Sequence, residues 1–114
     1  MAERDLPFRV FLRFEINPGM EDGFEETWLS IGDVITGHPA NLGQWLMRDA
    51  AEKSVYYVIS DWVDERRFRE FEHSDAHVEH RARLHPYRHG GGMHLMDGVA
   101  HLPGAAARAP GAGL

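Results

Sequence analysis

From Phe8 to Ile16 hydrophobic and polar positions follow a period of two. Phe8, Val10, Leu12, Phe14 and Ile16 share one side, and Arg9, Phe11, Arg13 and Glu15 share the other, which predicts a strand. Asn17-Pro18-Gly19 then supplies strong turn chemistry. Between about Met20 and Thr36 the period lengthens. Phe24, Trp28, Ile31 and Ile35 recur at four, three and four residues, the apolar stripe of a helix. Gly37 fits its C-terminal cap, and Pro39 prevents continuation. His38-Pro39-Ala40-Asn41 reads as a loop. Leu42 to Arg48 suits a second strand, and Asp49 to Lys53 is a polar connection. Val55 to Ile59, dense in aromatic and β-branched residues, is a third strand. Asp64 has the chemistry of an N-cap, with Phe68 and Phe71 opening the stripe of a second helix. Ser74-Asp75 either interrupts that helix or caps a further stretch to Leu84, and Pro86 ends it. A fourth strand is expected from about Gly92 to Leu102, entered through a flexible Gly90-Gly91-Gly92 run.

Strand, helix, strand, strand, helix, strand is the ferredoxin-like order, an α+β class with an antiparallel sheet and both helices on one face. Residues 1–102 form the expected domain. Residues 103–114 hold ten Ala, Gly or Pro in twelve positions, so this tail carries little intrinsic structure. The sheet's other face needs cover. Phe11, Trp45 and Met47 fall on it, and burying them against a second copy predicts a homodimer with Trp45 at its centre.

A chain of 114 residues, 43% hydrophobic and 26% charged, suffices for one core. It has no cysteine, which excludes disulfides, thiolate metal sites and a cysteine nucleophile. The formal charge of −6 argues against nucleic-acid or anionic-membrane partners. No apolar run approaches the ~20 residues of a membrane span, and Met1 to Asp5 lacks a secretory pattern. The expected location is the cytoplasm. The four serines form no Gly-x-Ser-x-Gly elbow, and the glycines form neither a dinucleotide fingerprint nor a phosphate loop. No cofactor is therefore expected.

Eight histidines are many for this length. His73, His77 and His80, at offsets of four and seven, fall within about 60° on one continuous helix. That spacing suits proton transfer or a metal ion, and equally a solvated face shared with Glu79, Arg81 and Arg83. The zincin pattern His-Glu-x-x-His is missing, so no metal ligand is assigned. Trp28, Trp45 and Trp62 suit core or interface, and Trp62, between strand and helix, suits a pocket mouth. Tyr56 and Tyr57 point to opposite sheet faces, so at most one meets a ligand. Gln44 alternates with Leu42 and Leu46 on one face and aims at a cavity, with Asn41 close by. Arg13 and Arg48 suit solvent equally well.

Phe14 with Pro18-Gly19, the helix carrying Phe24 and Trp28, His38-Pro39-Ala40-Asn41-Leu42-Gly43-Gln44, Tyr57-Val58-Ile59-Ser60-Asp61-Trp62, and Phe68, Phe71, Ser74 and His77 together resemble the antibiotic biosynthesis monooxygenase family. The likeness covers residues 8 to 101 and is nearest to members from aromatic polyketide pathways. It implies a dimeric α+β barrel with a pocket between sheet and helices for a flat polycyclic ligand. Some relatives oxidise anthrones to quinones without a cofactor, and others cyclise polyketide chains. Two positions depart from relatives. Val58 stands where the anthrone oxygenases place an asparagine, and Glu72 where haem-degrading members place a histidine.

The expectation that follows is a cyclase acting on a polycyclic aromatic or poly-β-ketone small molecule by aldol closure and dehydration. His77 or His80 would be the base, Gln44 and Asn41 oxygen donors, and Trp62 and Phe14 walls. Trp28, His38, Tyr57 and Phe68 would complete the substrate contacts. A cofactor-independent, quinone-forming monooxygenase is the alternative, with Trp62 beside the radical pair. A non-catalytic binding subunit is a third.

Overall fold

The alternation of Phe8–Ile16 makes β1, which runs through the sheet interior between two antiparallel neighbours. The structure is a computed structural model describing residues 6–107; Met1–Asp5, where no leader is expected, and residues 108–114 of the tail lie outside the described residues. After β1 come α1 (Glu21–Ile31), α2 (Asp33–Thr36), β2 (Asn41–Arg48), β3 (Val55–Trp62), α3 (Glu65–Glu72), α4 (Asp75–Leu84), a 3₁₀ turn His85–Tyr87 and β4 (Arg88–Asp97). The strands lie in the order β2-β3-β1-β4, all antiparallel. This is the ferredoxin-like arrangement expected from the sequence.

Two apolar clusters hold the helices to one face. Phe14, Ile16, Phe24, Trp28, Tyr56 and Leu84 form one, and Phe8, Val10, Ile35, Trp62, Phe68 and Phe71 form the other. Leu12 packs against both. Asp64 caps α3 by accepting from the Arg67 N–H, and Ser74 caps α4 by accepting from the His77 N–H. These caps break the second predicted helix into two, each with an extended N-cap residue that starts a new direction.

Three boundaries differ from the periodic reading. The first helix divides at Gly32, a poor helix former, into α1 and α2. On β2 a bulge between Asn41 and Gly43 breaks the alternation, so Leu42 is exposed instead of sharing the face of Gln44 and Leu46. The fourth strand spans Arg88–Asp97 rather than 92–102 because its partner sets its length. Asp97 pairs with Phe8 and Arg88 with Ile16, the two ends of β1. The glycine run thus lies inside a strand and is not a flexible entry. Gly91 has φ +146°, and a Cβ there would sit 1.9 Å from the Arg13 carbonyl oxygen. Beyond β4, Val99 and Leu102 are exposed, and Ala107 N–H bonds Gly104 O to close one turn.

The sheet's outer face carries Trp45 and Met47, 51% and 50% exposed. Phe11 lies there against Tyr57, ring centroids 5.4 Å apart. The Arg9 guanidinium grips buried Asp61 through two hydrogen bonds of 2.7 and 2.9 Å.

Candidate active site

Between the sheet and the helices lies a cavity of about 470 Å³, a size that encloses a small organic ligand. Val10, Leu12, Phe14, Val58 and Ser60 form its floor on the sheet, and Trp28, Ile35, Phe68 and Phe71 its roof on the helices. Trp62, at the end of β3, is 1% exposed. It is an interior wall rather than a mouth residue, with Phe71 at 5.1 Å and Phe68 at 5.5 Å.

Polar side chains enter this apolar volume from both layers. α4 directs His77 and His80 into the cavity with rings stacked 6.4 Å apart. β2 contributes Gln44. The Nδ1 atoms of both histidines and the Oε1 of Gln44 are buried and have no hydrogen-bond partner among the described residues. Buried polar atoms in folded proteins are almost always paired, so three orphans around one cavity point to a ligand.

Burial lowers the pKa of His77, and the charges of Arg81 and a protonated His80 push the same way while Glu72 opposes them. Burial also lowers His80, against a smaller opposing effect of the Ile31 carbonyl. Both rings are therefore free bases at neutral pH. Glu72 accepts from Arg69 Nη1 at 3.1 Å. At the cavity edge the Arg88 guanidinium lies 5.3 Å from the Phe14 ring centroid, with Nε donating to Gly90 O.

Of the residues singled out from sequence, Phe14, Trp28, Gln44, Trp62, Phe68, His77 and His80 line the cavity together. Three do not. Tyr57 is on the outer face, its hydroxyl donating to Asp49 Oδ2. His38 packs behind Trp62 and Phe71, and its Nδ1 accepts from the Ala40 N–H. Asn41 spends its amide on the β2 bulge and on Ser60. Tyr56 is the core-facing tyrosine, yet its hydroxyl donates to Glu25, and burial with that bond pushes its pKa up to about 12. His73 leaves the predicted histidine arc because the helix breaks beside it, and its Nδ1 contacts Arg69 O. Among the described residues no three metal-ligating side chains converge.

A family model described as antibiotic biosynthesis monooxygenase matches residues 7–83. The chain belongs to this family. Among solved structures, SnoaB, a cofactor-independent oxygenase from Streptomyces nogalater, is 19% identical, with a TM-score of 0.77 over 87% of this chain and 99% of SnoaB. A conserved protein from Methanosarcina mazei Go1 is 14% identical, with a TM-score of 0.74 over 83% of this chain and 95% of that one. PA3566 from Pseudomonas aeruginosa gives 13% and 0.70, over 83% and 96%. No curated protein matches. At such identities the solved structures share the monooxygenase family's fold with this chain. No helix among the described residues is long and apolar enough to cross a membrane.

The family match covers the cavity lining as far as Arg81 but stops before Leu84, His85, Arg88, Gly92 and Met93, which complete its wall. The site residues expected from the sequence include none of these five, nor Ser60 and Arg81. Ser60 was findable, since Tyr56, Val58, Ser60 and Trp62 share one parity on β3. His85 and Arg88 flank Pro86 outside any periodic segment and gave no such signal.

Proposed function

We propose that this chain is a cofactor-independent oxygenase of aromatic polyketide-type compounds, in which His77 and His80 supply the base. The observation that carries the reading is the set of three unpartnered polar atoms, two of them on uncharged imidazoles, inside an apolar, aromatic-walled cavity. Family membership supports it. A neutral imidazole takes a proton from the activated CH₂ carbon of an electron-rich polycyclic phenol. The carbanion passes one electron to dioxygen, and the resulting radical and superoxide couple to a peroxide anion. The imidazolium returns its proton to that anion. Loss of water then leaves a carbonyl. One oxygen atom enters the product, the other leaves in the water, and both hydrogens of the CH₂ carbon leave with it. Phe14, Trp28, Trp62 and Phe68 hold the flat rings and exclude water, and Gln44 fixes a ring oxygen. We take the working form to be a homodimer in the cytoplasm; the exposed Trp45 and Met47 on the sheet's outer face support the pairing alone.

The aldol cyclase is the second reading, favoured by Val58, which cannot hydrogen-bond a developing oxyanion as the asparagine of anthrone oxygenases does. Two adjacent imidazoles suit a reaction that removes one proton and delivers another. Anthrone under ¹⁸O-labelled dioxygen separates the readings. The oxygenase converts it to a quinone carrying one labelled atom, faster than the spontaneous reaction. No acceleration with anthrone, together with ring closure of a poly-β-ketone without oxygen uptake, establishes the cyclase instead.

A further inference from the structure

Ser60 lies on the core face of β3, 5% exposed, and lines the cavity. Its oxygen accepts two hydrogen bonds. The Trp62 indole N–H donates at 2.9 Å, and Asn41 Nδ2 donates at 3.3 Å. Neither direction is reversible. An indole nitrogen is a donor only, and the Asn41 amide is oriented by the Gly43 N–H, which donates to its Oδ1 at 2.9 Å. With both lone pairs filled, the Ser60 hydroxyl has only its hydrogen left to offer, and no acceptor among the described residues takes it. In the sheet register Gln44 stands opposite Ser60, and such paired positions bring side chains to about 5 Å at the Cβ atoms. Gln44 Oε1 is a buried acceptor that lacks a donor among the described residues. A forced donor and an orphaned acceptor therefore project from paired positions on the cavity face of the sheet, with no hydrogen bond between them.

We infer that Ser60 and Gln44 form a two-point subsite for an aromatic hydroxyl group, whose oxygen accepts from Ser60 and whose hydrogen is donated to Gln44 Oε1. Trp62 and Asn41 act through Ser60 as positioning residues. The subsite sits beside Val58 on the same strand face and supplies the oxygen contact that valine lacks. It selects hydroxylated aromatics over their bare hydrocarbons.

This inference rests on the aromatic-ligand reading of the cavity, and three probes separate the two. Naphthalene offers no hydrogen bond, 2-methoxynaphthalene only accepts, and 2-naphthol accepts and donates. Binding to the intact protein is followed by quenching of tryptophan fluorescence at neutral pH. Wild type should bind 2-naphthol about tenfold or more tighter than naphthalene, as two neutral hydrogen bonds allow, with 2-methoxynaphthalene between them. Ser60→Ala should lose the advantage of both oxygenated probes while binding naphthalene as before, and Ser60→Thr should restore it. Gln44→Leu should remove only the gain of 2-naphthol over 2-methoxynaphthalene. Should Ser60→Ala fail to fold, Gln44→Leu decides alone. Equal binding of the three probes by wild type, or an advantage that survives both substitutions, overturns the subsite and leaves the cavity reading standing. Failure of all three probes to bind overturns both.

Discussion

At neutral pH the imidazoles of His77 and His80 are uncharged because burial penalises the protonated ring. The unfolded chain has no such penalty, so it binds protons first as the pH falls. Stability contributed by these rings is fully present above pH about 6.5 and is lost as the pH drops through their lowered values. Urea denaturation at pH 7.5 and 5.5 should show a loss of stability on acidification that is smaller in the His77→Leu/His80→Leu variant. An unchanged loss would place the titrating groups elsewhere. A second residue-scale prediction concerns Gly91, where a Cβ would strike the Arg13 carbonyl and φ is positive. Gly91→Ala should cost about 2–4 kcal/mol in denaturant titration. At this scale the sequence was only partly legible. Tyr57 was assigned to the ligand although Tyr56 and Ser60 share the core face. Both faces of β3 are apolar, with Tyr57 and Ile59 on the outer one, so alternation carried no polarity contrast to choose between them.

Elements were more legible than residues. Asp64 and Ser74 both cap as their chemistry predicts, and they decide that α3 and α4 are two helices. Losing either side chain should cost about 1 kcal/mol. The two losses differ in consequence. Ser74 holds the first turn of α4 through the His77 N–H, so Ser74→Ala should also disturb the His77 resonance in histidine NMR spectra, whereas Asp64→Ala should leave it unmoved. Equal effects of the two variants on His77 would sever the link between cap and site. The ends of β4 were illegible because they depend on where β1 begins and stops. The β2 bulge was equally hidden, since it depends on the Asn41 amide reaching across to β3.

For the molecule as a whole, the order of elements specified the layers, and the family likeness read from scattered short motifs agrees with the match over residues 7–83. The cavity itself had no sequence signature, because an empty volume arises from which side chains fail to meet between two apolar clusters. The outer sheet face leaves apolar side chains uncovered. Trp45 and Met47 are each about half exposed there, and Met96 is 40% exposed. Burying a large apolar side chain fully stabilises by ~1.5–3 kcal/mol, so two copies should close this face. Sedimentation at micromolar concentration should give a dimer for wild type and a monomer for Trp45→Asp. A monomeric wild type, or a dimeric variant, would contradict that assembly.

The central claim, that His77 and His80 are neutral bases facing a bound aromatic ligand, is tested most directly by NMR titration of all eight histidines with and without 2-naphthol. The predicted result is that these two titrate below the ordinary histidine value and that ligand shifts their resonances more than those of the five histidines outside the cavity wall. Ordinary titration of both, with resonances indifferent to ligand, would contradict it.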